Sequence, residues 1–140
     1  MSVKQPRRRF LLFVLAPALA AQTAARTVRG ILTLTAGGRP ALRTSSGALV
    51  YPDGDPPTRG VLRDKRLLGM DMELAGTFDS ADRFTVNPIH TRSIFVYKNG
   101  KRLMVTYWCD VCAIRTYTPG QCWCCQEETA LDLREKDDAP

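Results

Sequence analysis

The sequence predicts a mainly β domain with one short helix, extended by a β-hairpin and by a C-terminal segment that carries the cysteines. Short runs rich in Val, Ile, Leu and Thr are separated by Gly, Pro and Ser turns, which is the pattern of several short strands. Asn99-Gly100 predicts a two-residue hairpin turn, because both central positions of a type I′ turn need positive φ. All five cysteines lie between Cys109 and Cys125, which indicates a metal site or disulfides.

Residues 1–21 have the pattern of a cleaved export signal. Lys4 and the three arginines at 7–9 precede an apolar run over residues 10–16, and small residues follow around Ala20. The run is shorter than the roughly 20 residues that a membrane-spanning helix needs. We therefore expect no stable membrane anchor after cleavage and a periplasmic or extracellular protein. The consecutive arginines fit both the general secretory route and the twin-arginine route.

The net charge is mostly a property of this signal. The whole chain has a formal charge of +6, but residues 1–21 hold four of its 20 basic side chains and none of its 14 acidic ones, so the mature charge is +2. Four thiolates around one zinc ion would add a net charge of about −2. Because nucleic-acid binding needs a clustered basic surface, we expect no nucleic-acid partner.

The mature chain is predicted to begin with three strands and a helix. The strand candidates are the runs at 28–35, 41–44 and 48–51. Asp55 is a good N-cap, Pro56 suits the first helical position and Gly69 is a natural stop, which predicts a helix over residues 56–67. The residues expected on its buried side are Val61, Leu62 and Leu68.

Two more strands are predicted after the helix, over residues 70–78 and 83–87, and Pro88 ends the second. The order of three strands, a helix and two strands resembles the OB-fold, a five-stranded barrel with a helix between its third and fourth strands. This resemblance covers residues 28–88 and implies a closed barrel. The hairpin and the cysteine segment, over residues 92–136, then extend the barrel within a single domain over residues 28–136.

The Asn99-Gly100 turn also predicts the register of the hairpin. Lys98 should face Lys101, and Val96 should face Leu103. One face is then apolar and belongs to the core: Ile94, Val96, Leu103, Val105 and Tyr107. The other face is amphipathic, and it either covers a neighbouring element or forms part of a binding surface: Phe95, Tyr97, Arg102, Met104, Thr106 and Trp108.

Two Cys-x-x-Cys pairs of equal spacing can bring four thiolates to about 2.3 Å from one zinc ion. The ligands expected for this structural zinc are Cys109, Cys112, Cys122 and Cys125. Cys124 is left over, and it either replaces Cys122 or Cys125 as the alternative ligand or remains a free thiol. With short strands at 113–117 and 128–133, the segment resembles a zinc ribbon, although Ala113 stands where such ribbons usually have glycine.

Two other uses of the cysteines stay open. An exported protein meets oxidants, so disulfides are possible, but five cysteines form at most two of them. Redox-active or copper-binding thiols are the other alternative. The run from Trp108 to Cys112 is also similar to the W-C-x-x-C run of thioredoxin-like enzymes, but the residues after Cys112 favour a strand over the helix of that family.

No catalytic constellation is found in the sequence. His90 is the only histidine and is expected to be a hydrogen-bonded loop residue. G-x-S-x-G, HExxH and phosphate-binding glycine loops do not occur. We therefore expect a non-enzymatic binding or structural module with a structural zinc, or alternatively a periplasmic thiol–disulfide or copper/zinc-handling protein. An oligosaccharide or peptide ligand is a further possibility, bound through Tyr97 or Trp108.

The C-terminal segment also suggests a family. The runs Tyr107 to Cys112 and Arg115 to Glu128 together resemble the C-terminal part of small exported bacterial proteins, with an OB-like barrel and a four-cysteine segment. This resemblance implies export and implies no particular activity. Residues 137–140 are expected to form a loose tail, because they offer almost no apolar anchor.

Overall fold

The computed structural model describes residues 25–136, so the predicted export signal (1–21) and the predicted tail (137–140) lie outside the described residues. Within this described part, nine strands and one α-helix follow one another. They are β1 (Arg26–Leu34), β2 (Pro40–Arg43), β3 (Leu49–Asp53), α1 (Pro56–Leu62), β4 (Asp71–Phe78), β5 (Arg83–Val86), β6 (Ile94–Lys98), β7 (Lys101–Cys109), β8 (Ile114–Thr116) and β9 (Ala130–Arg134).

The first five strands close into a barrel. Going round the ring, β1 pairs with β2, β2 with β3, β3 with β5, β5 with β4, and β4 again with β1. The β3–β5 pair is parallel, and the other four pairs are antiparallel. With α1 between β3 and β4, this arrangement confirms the predicted OB-like barrel with one short helix.

The helix is shorter than predicted. Asp55 caps α1 as expected, because its side chain accepts a hydrogen bond from the Thr58 amide at 3.0 Å. The prediction of a helix to residue 67 was wrong, since Asp64 is extended and its carboxylate caps a separate 3₁₀ turn at Lys65–Leu67. This turn buries Leu67, whereas Leu68 is exposed. Within residues 25–136, no helix has the length and apolar character to cross a bilayer.

Strand β4 connects the barrel to the rest of the sheet. One edge of β4 pairs with β1. Two strands share the other edge: β5 pairs with residues 76–78, and β6 pairs with residues 71–74. The partner changes at Ala75, whose amide donates to the Ser93 carbonyl at 2.8 Å and whose carbonyl accepts from the Asn87 amide at 3.0 Å. Along this edge of β4, the pairing with β5 therefore stops at Gly76 and the pairing with β6 begins at Leu74.

The β6–β7 hairpin has the predicted register. Lys98 faces Lys101 and Val96 faces Leu103, and the turn residues Asn99 and Gly100 have φ of 52° and 76°. Beyond the hairpin, β7 continues between two further strands, with β8 and β9 on its opposite edges. The short strands predicted at 113–117 and 128–133 are these two, with bounds shifted by one or two residues.

The two faces of the hairpin differ less than the sequence predicts. Of the expected core face, Ile94, Val96, Val105 and Tyr107 join the barrel core, and Leu103 is half-buried. The other face also buries Phe95, Met104 and Thr106. Arginines cover this second face, since Arg102 stacks on Phe95 at 3.4 Å and Arg115 donates to the Thr106 hydroxyl at 2.7 Å.

Gly76 lies where β4 and β5 approach closely, and we predict that Gly76→Ala destabilises the barrel. A Cβ atom at this position would lie 2.0 Å from the Thr85 carbonyl oxygen. The strands must therefore separate, at a cost of about 1–3 kcal/mol in the free energy of unfolding, measured by urea denaturation. Gly37→Ala is the matched control, because nothing lies within 4 Å of its Cβ position. If Gly76→Ala is as stable as Gly37→Ala, the close approach of β4 and β5 at Gly76 is contradicted.

Candidate metal centre

The first cysteine pair lies at the tip of a hairpin. β7 ends at Cys109 and β8 begins at Ile114, and these two residues face each other across the strand pair. Cys109-x-x-Cys112 is therefore the turn between β7 and β8. Within the turn, the Cys112 amide points at the Cys109 sulfur, with an N–Sγ distance of 3.5 Å. The second strand of the β6–β7 hairpin thus leads directly into the first cysteine pair.

The second cysteine pair lies at the tip of another, shorter hairpin. Gln121 and Glu128 form an antiparallel bridge. Above this bridge, the Cys122 amide donates to the Glu127 carbonyl and the Gln126 amide donates to the Cys122 carbonyl, both at 2.8 Å. Below it, the Thr129 amide and hydroxyl both donate to the Gly120 carbonyl, at 3.0 and 2.8 Å.

The two hairpin tips face each other and bring four sulfur atoms together. The Sγ atoms of Cys109, Cys112, Cys122 and Cys125 all lie within 4.8 Å of one another, and those of Cys109 and Cys125 are 3.4 Å apart. A tetrahedral zinc site with Zn–S bonds of about 2.3 Å separates its sulfurs by about 3.8 Å, whereas a disulfide bond needs about 2.05 Å. All five cysteines are free thiols. This group of four can hold a metal ion.

Cys124 lies outside this group. Its side chain is exposed, while the first cysteine of each turn is buried, with Cys109 at 2% and Cys122 at 1% relative exposure. The intervening positions carry exposed apolar side chains, Val111 at 71% and Trp123 at 77%. The structure thus groups the four predicted ligands and leaves the predicted alternative ligand at the surface.

The electrostatics of the group favour a cation. Backbone amides of Cys125 and Cys124 donate to the Cys122 sulfur and lower its pKa to about 7. The Cys124 thiol, burial and the other thiols raise the pKa of Cys112. For Cys109, the Cys112 amide favours the thiolate, but burial and the neighbouring thiols together raise the pKa. The neighbouring thiols thus oppose ionisation at Cys109 and Cys112, and a bound cation would favour the thiolate form of these two side chains.

Both cysteine turns end in the same unusual backbone conformation. Ala113 follows the first pair with φ of 50°, and Gln126 follows the second with φ of 62°. This left-handed region favours glycine, because a Cβ atom crowds the carbonyl that follows. The two turns therefore repeat one geometry, and Ala113 adopts the conformation of the glycine that usually stands there.

A partly buried ion pair attaches the second cysteine hairpin to the barrel. Arg66 bonds to Asp64 at 3.0 Å, lies over the Tyr107 ring at 5.2 Å and donates to the Thr129 carbonyl at 2.7 Å. Burial acts to raise the pKa of Asp64, but hydrogen bonds from Arg66 outweigh it and lower the pKa overall. This connection could not be predicted from the sequence, since Arg66 and Thr129 are far apart along the chain.

The other residues singled out in the sequence have local partners. His90 Nε2 lies 2.7 Å from the Tyr117 carbonyl, as expected for a hydrogen-bonded loop residue. Arg29 stacks on Tyr97 at 3.7 Å, so one face of this ring is already covered. Trp108 lines a shallow cleft of about 490 Å³ together with Arg115 and Asp132, which form an ion pair of 2.7 Å.

The fold and the cysteines define the class of this protein, a small OB-like barrel extended by a ribbon-like pair of hairpins with a four-thiol centre. Comparison with protein-family models, with curated proteins and with solved structures finds no match for this chain.

Ala113→Gly is predicted to stabilise the protein. Replacing a left-handed alanine by glycine removes about 1–2 kcal/mol of strain from the folded state. The greater conformational freedom of glycine stabilises the unfolded chain by about 0.5–1 kcal/mol, which offsets part of this gain. The free energy of unfolding should rise by about 0.5–1 kcal/mol, measured by urea denaturation of the metal-free protein. Ala36→Gly is the control, because Ala36 lies in an exposed turn and has no positive φ. If both variants are destabilised by the same amount, the inference of backbone strain at Ala113 is contradicted.

Proposed function

We propose that the protein is an exported, non-enzymatic module in which one structural zinc ion fastens the C-terminal hairpins. The observation that carries this proposal is the convergence of four sulfur atoms, all within 4.8 Å of one another, from the tips of two separate hairpins. The proposed ligands are Cys109, Cys112, Cys122 and Cys125. Export rests on the basic and apolar pattern of residues 1–21.

The chemistry of the donor set supports zinc and a structural role. Four thiolates in a tetrahedral arrangement are a common ligand set of structural zinc sites. Such a set fills the coordination shell of the ion, so no position is left for a reactive water molecule. Within residues 25–136, the only histidine is bonded to a loop carbonyl and is not part of the group.

The C-terminal hairpins need such a fastening more than the barrel does. The apolar core is built from side chains of the barrel, the helix region and the β6–β7 hairpin, and it ends at Tyr107. Beyond that residue, β8 has three residues, the second cysteine hairpin has one isolated bridge, and Leu131 and Leu133 are only partly buried. Metal binding therefore contributes directly to the folding of this segment.

Cys109→Ser and Cys125→Ser are predicted to abolish binding of one zinc ion per chain, because each removes a ligand. Native mass spectrometry counts the bound zinc and also shows whether residues 1–21 have been removed from the exported protein. Amide hydrogen exchange should accelerate over residues 109–134 and stay unchanged in β1–β5. Cys124→Ser, a matched change at the exposed cysteine, should keep both zinc and protection. Zinc-free parent protein, or full zinc binding by the ligand variants, would contradict the proposal.

The exposure of Cys124 favours a second candidate, a periplasmic thiol–disulfide or metal-handling protein. In that case an accessible thiol beside the four-thiol group would exchange disulfides or pass on a soft ion such as copper(I). The two candidates predict different thiol reactivity in the zinc-loaded protein. For a structural site, alkylation should modify Cys124 alone and leave zinc bound, as read by peptide mass. Rapid alkylation of the four clustered cysteines with release of zinc would support the handling function instead.

A further inference from the structure

A second site candidate lies on the barrel, away from the cysteines. A cavity of about 320 Å³ opens between the β1–β2 turn, the end of β3 and the outer side of α1. Its wall combines three arginines, one carboxylate and three apolar residues, namely Arg39, Arg59, Arg63, Asp53, Pro40, Pro52 and Leu62. The volume is at the lower end of the roughly 300–1,000 Å³ that small-molecule sites occupy.

The charges in this cavity do not balance. Asp53 is paired with Arg59 through two contacts of 2.7 and 3.4 Å, and this hydrogen bonding lowers the pKa of Asp53. Neither Arg39 nor Arg63 forms an ion pair with a carboxylate in the part of the chain that the structure describes. Asp55 is outside the lining of the cavity, where it caps α1 and its charge acts on Arg59. One carboxylate thus faces three guanidinium groups, which leaves two positive charges.

The cavity is also preorganised. The Arg39 guanidinium packs on the Tyr51 ring at 4.1 Å, which restricts where this long side chain can point. Pro40, Pro52 and Leu62 are buried and form a fixed apolar wall. Restricting the Arg39 side chain reduces the ordering cost of binding a ligand.

We propose that this cavity binds a small organic phosphate monoester, with the phosphate group between Arg39 and Arg63. A phosphate monoester carries about −1.5 to −2 charges at neutral pH, which matches the two uncompensated guanidinium groups, and guanidinium binds phosphate oxygens through two parallel hydrogen bonds. The remaining volume and the apolar wall accommodate the organic part. Three separate elements enclose the cavity, so it suits one group better than a length of polymer. This site is independent of the cysteine group.

The test uses the zinc-loaded mature chain and phenyl phosphate as the probe, followed by NMR of backbone amides at low ionic strength. Phenyl phosphate should saturate a single site, shift the amides around Arg39 and α1, and bind more tightly than inorganic phosphate. Benzoate, with one charge, should bind more weakly. Absence of saturation, shifts elsewhere on the surface, or stronger binding of a single-stranded oligonucleotide than of phenyl phosphate would overturn the proposal.

Charge-matched variants separate this site from general attraction of anions. Arg39→Gln and Arg63→Gln should each weaken phenyl phosphate binding by about tenfold or more, because each removes a bidentate contact. Arg26→Gln makes the same charge change at the opposite end of β1 and should weaken it by less than about twofold. Equal losses in all three variants would overturn the proposal. Zinc content and melting temperature should be unchanged in all three variants. A loss of phenyl phosphate binding can then be assigned to the arginine and not to a change in the metal site or the fold.

Discussion

The structure depends on the double use of one edge of β4. On this edge, β5 pairs only with residues 76–78 of β4. The exchange of partners at Ala75 lets β6 pair with residues 71–74 and carry the sheet away from the ring. Through β6 the chain reaches β7, and through β7 it reaches the cysteine turns. The β4–β6 pairing thus connects the barrel to the first cysteine turn, and the Arg66 contact to the Thr129 carbonyl connects it to the second cysteine hairpin.

Local signals in the sequence are enough to predict most elements of this fold. Asn99-Gly100 specifies its turn because few dipeptides tolerate two positive φ values, and the hairpin register follows from the loop length alone. Asp55 and Pro56 place the start of α1 for similarly local reasons. The equal spacing of the two cysteine pairs selects the same four residues that the structure brings together.

The rest could not be predicted, because it depends on which side chains contact one another in three dimensions. The end of α1 is decided by Asp64, whose carboxylate serves both the 3₁₀ turn and Arg66. Neither the capping role of Asp64 nor its ion pair can be predicted from the sequence, because Asp64 is there one polar position among others in a helical pattern. The burial of Phe95 is similar, since the arginine that covers it comes from the paired strand. Ala113 stands where zinc ribbons usually have glycine, and only the structure shows that it adopts the backbone conformation of glycine.

The two cysteine turns are alike in burial. In each turn the first cysteine is buried, and the second lies at the accessible outer side of the four-sulfur group. Cys109 and Cys122 are buried, whereas Cys112 and Cys125 are partly accessible. Cys109 also lies on the same side of β7 as Tyr107, two residues earlier, so the inner sulfurs border the apolar interior of the molecule. A chelator or an oxidant can therefore approach the group only from its outer rim, and it meets the second cysteine of a turn before the first.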